Sequence, residues 1–550
     1  MTLSALGDSA IVLTLADAVD EAVVARVRRL ALEIERSRPH GVLDVLPAFA
    51  SVTVHYDPIV TGGFAPLVRE LEHRVQALDE TAIATAGRER EIPVWYGGEQ
   101  GPDLHEVSAQ HGLTAAEVIA LHSGATYLVH AIGFLPGFAY LGGLPEKLAT
   151  PRRSTPRTSV PAGSVGIGGA QTGVYPRQSP GGWNLIGRTS LPLFDPNRTE
   201  AALLQVGDHV RFRAIAEPEP ATAGTPCVPE TPNQNTALEG GPGSGIEVLE
   251  PGMLTTVQDL GRTGHRAAGV GLSGATDSFA LRVANLLVGN SENAAGLEFT
   301  LIGPVLLFRH DTIVAATGAV FDALPPWRPV TIPAGTRLKL GSARSGCRGY
   351  LAVAGGIAVP EVLGSRSTHL RVGLGGYLGR ALAAGDLLPT VASGRKVIGH
   401  WRIDQRILPA YSAHPTVRVV RGAQADEFEA DFLPQSFTVS PQSDRMGLRL
   451  RGVAAQRASR RELLSAAVVP GTIQVPPDGQ PIILLADAQT LGGYPQIAHV
   501  ITVDLPLLAQ LRPGERVSFR EVSLEEAHEC GRQREHAVAL LRQGLAQKLR

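Results

Sequence analysis

Apolar residues recur at Val23, Val27, Leu30 and Ile34, the spacing of a helix with one buried face, and predict a helix over residues 21–36. Residues 52–56 alternate between apolar and polar as a half-buried strand does, residues 10–15 form a second strand candidate, and residues 64–78 return to helical spacing. This β-α-β-α order predicts a small sheet with helices on one face. Two further helices are expected at 103–111 and from 114 to about 123, the second opened by Thr114 as N-cap with Glu117 at the capping-box position. Later in the chain a helix is expected at 278–287, stopped by Gly289-Asn290. Strands are expected at 298–308, 312–316, 348–354, 416–421 and 436–440, and a closing helix at 524–548.

Residues 469–495 read VPGTIQVPPDGQPIILLADAQTLGGYP: an alternating strand, a Pro-Asp-Gly turn, a short apolar strand and a polar tip with glycines. The text has an earlier echo in residues 160–176, VPAGSVGIGGAQTGVYP, and a fainter one in residues 332–336. Each strong copy is followed by a glycine-acid strand, residues 207–212 and 514–519. The similarity predicts one β-barrel used twice. The expected fold is mainly β with an α+β N-terminal domain. Its boundaries are 1–90 for that domain, 91–215 for a first barrel, and 216–245 for a Pro/Thr/Gly-rich flexible linker. A first β-domain of the second unit follows at 246–400, a second barrel at 401–523, and the closing helix at 524–550. Two units joined by such a linker suggest a fusion of two formerly separate proteins.

Composition narrows the function. A formal charge of −2 gives no electrostatic case for nucleic acid. Three scattered cysteines form neither a disulfide framework nor zinc spacing, which suits the cytoplasm. No apolar run approaches membrane length, and the N-terminus lacks a signal-peptide pattern. No metal site is expected. The only methionines are Met1, Met253 and Met446, none beside a lysine, so the chain carries no biotin attachment site of the usual kind. It has no Gly-x-x-x-x-Gly-Lys-Ser/Thr loop either. The glycine-rich residues 373–379, with Gly375 and Gly376 at their centre, are the candidate for holding the phosphates of ATP, against the alternative of a plain turn.

Four polar clusters are candidates for chemistry. Asp487, with Gln489, Thr490 and Tyr494, closes the second barrel's buried strand. Gln171 and Tyr175 occupy the echo in the first barrel. His130 with Tyr140 flanks the loop GFLPGF, as a structural or a catalytic histidine. Gln258, Asp259 and Arg262 precede a glycine turn, where an Asp–Arg pair could fix the loop, and Asp444-Arg445 carries the same ambiguity. Asp487, His130 and Asp259 are the catalytic candidates, and an amide such as Gln489 or Gln171 suits a lactam or urea group. Arg262 or Arg445 suits a carboxylate or phosphate.

On GFLPGFAYLGGL, PRTSVPAGSVGIGGAQTGVYP and SPGGWNLIGRT, the first unit resembles the KipI-like family, known also as the first subunit of allophanate hydrolase or the B-type subunit of 5-oxoprolinase. On TTVQDLGRTGHRAAGVGLSGATDSFALRVANLLVGN, YLAVAGGI, LGSRST, SDRMGLRL and IQVPPDGQPI, the second resembles the KipA-like family, the second subunit of allophanate hydrolase or the C-type subunit of 5-oxoprolinase. The pair also resembles the carboxyltransferase region of urea carboxylase. The resemblance implies cyclophilin-like barrels and a component of ATP-dependent 5-oxoprolinase, which opens 5-oxo-L-proline to L-glutamate. That enzyme would use ATP with Mg²⁺ and a separate LamB/YcsF-like protein as its A-type subunit; homo-oligomerisation is left open. The chain departs from the family at Trp95, where a Cys is frequent, and at Val320, where an acid is expected. The rival expectations are a carboxyltransferase acting on urea with a biotinylated partner, a regulator of a histidine kinase, and, on fold analogy alone, a prolyl isomerase.

Overall fold

The computed structural model describes residues 1–76, 87–217, 245–391, 401–429, 432–459 and 463–548; nearly all of the expected linker lies outside them. Near the N-terminus, strands Thr2–Ala5, Ala10–Thr14, Ser51–Tyr56 and Val42–Ala48 lie side by side in that order. Helix Glu21–Arg36 begins where the Asp20 carboxylate accepts the Val23 N–H at 2.7 Å. Its Val23, Val27, Leu30 and Ile34 pack with Ile11, Leu13, Val52 and Val54 of the sheet, and helix Phe64–Gln76 adds Leu67 and Leu71 to the same core. The strand Thr2–Ala5 escapes the periodicity reading because it is an exposed edge, and Val42–Ala48 because a register shift interrupts its alternation.

Two closed barrels follow, and they are wound alike. The strands of the first, in chain order, are Glu89–Tyr96, Thr126–Ile132, Ala139–Gly142, Ser164–Gly168, Gln171–Val174, Asn184–Arg188 and His209–Ala214. Those of the second are Thr416–Arg421, Ser436–Val439, Gly447–Arg451, Thr472–Gln474, Ile482–Leu484, Gln496–Val500 and Arg516–Glu521. Around each ring the order is first, sixth, fourth, fifth, third, second, seventh, and back to the first. In each, the one parallel pairing joins the seventh strand to the first. The fold is mainly β with seven α-helices among the described residues, and the barrel is duplicated.

The hydrogen bonds show which parts of the echo are equivalent. Gly163 and Gly471, both at positive φ, lead into the fourth strands. Gly163 donates to Tyr175 O and Gly471 to Leu484 O, at 2.7 Å each, so Tyr175 corresponds to Leu484 and not to Tyr494. Gln171 opens a fifth strand, whereas Gln489 lies beyond one. The shared Ala-Gln-Thr text therefore marks different places in the two barrels. The glycine-acid echo does hold: Gly207 donates to Val129 O and Val129 N–H to Asp208 O, as Gly514 does to Val439 O and Val439 N–H to Glu515 O. The third echo, at residues 332–336, joins two strands of a sandwich and marks no further barrel.

That sandwich stands between the barrels. A sheet of Arg337–Ser342, Ile302–Phe308, Ile246–Glu250 and Leu387–Leu388 faces one of Thr255–Gln258, Gly296–Thr300, Ser345–Val353, Thr312–Val320 and Pro329–Ile332. Val248, Leu306 and Leu338 from the first sheet share a core with Leu297, Val314 and Leu351 from the second. The single strand expected at 298–308 is two, separated by Leu301 at φ 54. Helix Ser278–Leu287 covers the outer face of the larger sheet, and the closing helix Leu524–Ala546 packs on that helix, with Glu535 paired to Arg282. Among the described residues no helix is long and apolar enough to cross a membrane.

The two halves of the chain are tied together by buried polar contacts. The Asp44 carboxylate accepts the N–H groups of Gly264, His265 and Arg266, and the Asp8 carboxylate accepts both the N–H and the hydroxyl of Thr502. Gly137 N–H donates to Ala268 O, and Leu135, Phe138, Val270, Val372 and Leu491 share one apolar cluster. The seam is closely packed: a Cβ on Gly133 would lie 2.6 Å from the Leu491 side chain and one on Gly269 2.6 Å from the Leu135 carbonyl oxygen, while within the second half one on Gly271 would lie 2.6 Å from the Ala488 carbonyl oxygen. Gly271→Ala is therefore expected to lower stability by about 1–3 kcal/mol, since a backbone oxygen cannot turn aside. Gly124→Ala, with nothing within 4 Å of its added Cβ, should be neutral or stabilising by up to about 1 kcal/mol. Thermal and urea unfolding of the two variants against the parent checks the contrast.

Candidate functional site

Three segments meet at the seam: the loop after the second strand of the first barrel, residues 268–274 of the second half, and residues 485–491 beyond the fifth strand of the second barrel. Between them lies a small, partly open cleft. Phe134, Leu135 and Pro136 form one apolar wall. His369 and Arg371 come from the sandwich half, and Met446, Asp487 and Gln489 from the second barrel. Both halves thus contribute to it.

Behind the cleft, Arg445 holds the wall in place. Its guanidinium is buried and every nitrogen has a protein acceptor. Nε and Nη2 donate to the two Asp487 oxygens at 3.0 and 2.9 Å, Nη2 also reaches Gly274 O at 2.7 Å, and Nη1 donates to Thr276 Oγ1 and to Glu298. Glu298 in turn accepts the Thr276 N–H and the Tyr350 hydroxyl. The network joins the sandwich to the second barrel, and the Arg445 charge holds the Asp487 carboxyl below its ordinary value despite burial.

Beside Asp487, the Ser273 hydroxyl donates to Thr368 O at 2.9 Å; Ser273 has φ 55, and Phe134 on the facing wall has φ 67. A bulky residue in the left-handed region costs of order 1–3 kcal/mol, so the surrounding packing must over-determine both conformations. His369 stands next to Asp487. Its Nδ1 is buried with no hydrogen-bond partner among the described residues, and burial pushes its pKa down to about 4, so the imidazole is neutral near pH 7. A base that weak draws a proton from water poorly. The cleft is consequently suited to holding and orienting a polar ligand more than to acid–base chemistry of its own.

Of the residues singled out from the sequence, Asp487 and Gln489 line the cleft, while Thr490 lies buried next to them and Tyr494 is 47% exposed. Arg445 and Arg262 do not offer themselves to a ligand. Arg262 is almost fully buried, donates Nη2 to Ser367 O at 2.5 Å, and leaves Nε and Nη1 without partners; burial lowers its pKa to about 10. The expected pairing of Asp259 with Arg262 is replaced by a loop clamp, in which the Asp259 carboxylate accepts from Ser365 and Ser367 hydroxyls and from Arg366 N–H. Gln258 binds Thr256 and Thr368 O within the interior. Asp444 closes its own turn by accepting Met446 and Gly447 N–H groups.

The glycine-rich loop lies outside the cleft lining at its centre. A Cβ on Gly375 would collide with Ser367 O and one on Gly376 with Thr368 Oγ1, so both glycines serve packing against the chain's own loop. His130 and Tyr140 lie outside the cleft lining. The His130 ring packs over Gly142 and on the edge of Phe49, and Tyr140 and Tyr175 are buried in an aromatic cluster with Phe138 and Trp183. Gln171 is paired in strand register with Gly168, away from the cleft lining. Sequence reasoning passed over His369, Arg371, Ser273 and Met446. His369 directly follows the text LGSRST, and Met446 lies inside SDRMGLRL, so the signal was there in position though not in residue type.

Comparison with known proteins agrees with this two-part construction. Residues 1–204 match the carboxyltransferase domain, subdomain C and D, and residues 268–521 match the carboxyltransferase domain, subdomain A and B. The chain is 48% identical over 209 residues to the B-type subunit of 5-oxoprolinase from Escherichia coli O157:H7, covering 38% of this chain and 93% of that protein. It is 44% identical over 293 residues to the C-type subunit of 5-oxoprolinase from Escherichia coli strain K12, covering 51% of this chain and 93% of that protein. The crystal structure of TTHA0988 superposes over 93% of this chain and 99% of its own, at 37% identity and a TM-score of 0.79.

Arg445→Met would leave Asp487 and Glu298 as buried charges without their counterion, and is expected to cost about 3–5 kcal/mol of stability. The Asp487 contribution has a defined pH sign. Because its folded pKa is lowered, its stabilisation is complete above the unfolded carboxylate value of about 3.9 and is lost as pH falls through the folded value. Urea unfolding between pH 7 and pH 3 should show a shallower acid loss for Asp487→Asn than for the parent.

Proposed function

The chain belongs to the carboxyltransferase-domain family, joining one half similar to the B-type subunit of 5-oxoprolinase to another similar to the C-type, and from that premise we propose that it is a component of an ATP-dependent 5-oxoprolinase. The observation that carries the proposal is that the two halves build a single cleft between them, with Leu135 on one side and His369 and Asp487 on the other. A lactam carbonyl is a poor electrophile, and ATP would supply its activation by phosphorylating the carbonyl oxygen before water adds. In this reading the chain's residues bind and orient. Asp487, kept ionised by Arg445, accepts the lactam N–H, and neutral His369 offers a hydrogen-bonding nitrogen at the ring edge. The apolar wall at Phe134–Pro136 keeps water from the ring's methylene face.

Neither Asp487 nor His369 is a poised general base, and residues 375–376 lie outside the cleft lining. The nucleotide site is therefore assigned to a surface completed by the separate LamB/YcsF-like protein, with Mg²⁺ accompanying the nucleotide. A second reading, transfer of a carboxyl group to urea or a related amide from a separate biotinylated partner, is favoured by the carboxyltransferase description of both matched regions.

The test is to combine the full chain with its LamB/YcsF-like partner, ATP, Mg²⁺ and 5-oxo-L-proline and to measure glutamate. Glutamate is expected only from the complete mixture, and Asp487→Asn should lower kcat/KM by about ten- to a hundredfold, the range for a hydrogen bond to a charged group. No glutamate, together with carboxylation of urea by a biotinylated donor, would overturn the proposal in favour of the second reading. An Asp487→Asn enzyme at full activity would take the cleft out of the chemistry.

A further inference from the structure

Arg371 differs from the other two arginines near the cleft. Arg445 has every nitrogen on a protein acceptor, and Arg262 lies behind the wall. Arg371 lines the cleft itself, set there by the short turn Leu370–Val372. The backbone groups of His369 and Leu374 bond each other across that turn, and Arg177 reaches over from the first barrel to Val372 O.

The guanidinium has few claims on it. It lies 5.6 Å from the centre of the Phe134 ring, and Nη1 faces the Sδ of Met446. A thioether is a weak acceptor, while a guanidinium has five N–H donors. Its carboxylate neighbour, Asp444, acts on it through space and spends Oδ1 on the backbone of its own turn. Asp487 lines the same cleft but takes its charge partner from Arg445, which holds it through two nitrogens. A half-buried cation has thus been placed on an aromatic face, beside soft sulfur, with its forked edge uncommitted. The left-handed Phe134 that supports it is one of the two strained residues of the site.

We propose that Arg371 is the residue that binds the substrate's carboxylate in this cleft, and that the ligand is a small cyclic amide bearing a carboxylate beside its N–H. The inference rests on the 5-oxoprolinase reading and deepens it. In 5-oxoproline the carboxylate and the N–H sit on adjacent ring atoms. The carboxylate meets the guanidinium fork in a bidentate pair while the N–H turns to Asp487, and the amide carbonyl, on the other side of the N–H, is turned away from the guanidinium. An uncharged amide would satisfy Asp487 but leave Arg371 unpaired, which gives the site a means of rejecting neutral lactams.

The experiment compares 5-oxo-L-proline with its uncharged analogue 5-oxo-L-prolinamide, using the full chain with its LamB/YcsF-like partner, Mg²⁺ and ATP, and reading ADP release together with the ring-opened product, glutamate from the first and its α-amide, isoglutamine, from the second. The parent should prefer the carboxylate substrate in kcat/KM by about ten- to a hundredfold. R371M should bring the two substrates to within about threefold of each other, by raising KM for 5-oxoproline while leaving kcat largely unchanged. R371K should keep part of the preference, because an ammonium pairs without the fork. A preference that survives R371M, or a loss in equal proportion for both substrates, overturns the role of Arg371. If the parent mixture forms glutamate and the preference survives, only this inference fails; if the parent mixture forms none, the functional reading fails first.

Discussion

The buried charge cluster around Arg445 is the constraint on which the rest of the molecule's second half depends. One guanidinium bridges Asp487 of the second barrel and Glu298 of the sandwich, and the Glu298 carboxylate is shared with Thr276 and Tyr350. An ion taken from water costs several kcal/mol unless its hydrogen bonds are nearly complete, so the cluster tolerates only one relative placement of the two domains. That placement brings residues 268–274 against 485–491, and the glycines at the seam permit the contact. The cleft is the space left over when these demands are met. Its geometry is therefore a property of the domain arrangement and not of any one loop.

The same logic applies between the halves. Asp44 supports three consecutive backbone N–H groups across the seam and Asp8 grips Thr502, both from loops or strands of the N-terminal sheet. Burial raises the pKa of each carboxyl, and the donated hydrogen bonds oppose that shift. Such contacts add little net stability but heavily penalise any misdocked arrangement, in which a buried acid would lack its donors. A cleft assembled from both halves needs this specificity more than it needs affinity.

Much of the fold was legible because strong periodicity and turn chemistry are local. The helix at 21–36, the capping box at Thr114 and the paired Pro-x-Gly and glycine-acid marks all rest on interactions within a few residues or on a required positive φ. The duplication could be read for the same reason: Gly163 and Gly471 occupy the same turn in each ring. The Ala-Gln-Thr match misled because its three residues carry no geometric requirement, and they fall at the opening of the fifth strand in one barrel and after it in the other. The edge strand Thr2–Ala5 and the break at Leu301 are set by neighbours distant in sequence, which a local pattern does not contain.

The site was legible in position more than in role. Residue type says which groups could bind an anion, and on that ground Arg262 and Arg445 stood out from the sequence. Burial reverses the ranking. Arg445, fully buried with every nitrogen on a protein acceptor, is the least able to receive a ligand, and Arg262, though two of its nitrogens lack partners, is buried outside the cleft lining. Asp259 is likewise consumed by the Ser365–Ser367 loop, and Gly375 and Gly376 by their contact with Ser367 and Thr368. What remains free to act is the group whose needs the fold leaves open: His369 with an unpartnered Nδ1, and Arg371 with a ring face and a sulfur in place of a carboxylate. Availability is a tertiary quantity. A motif can place such residues beside its own text, as LGSRST does for His369, but only the packing of three domains around one cleft decides which of them faces the ligand.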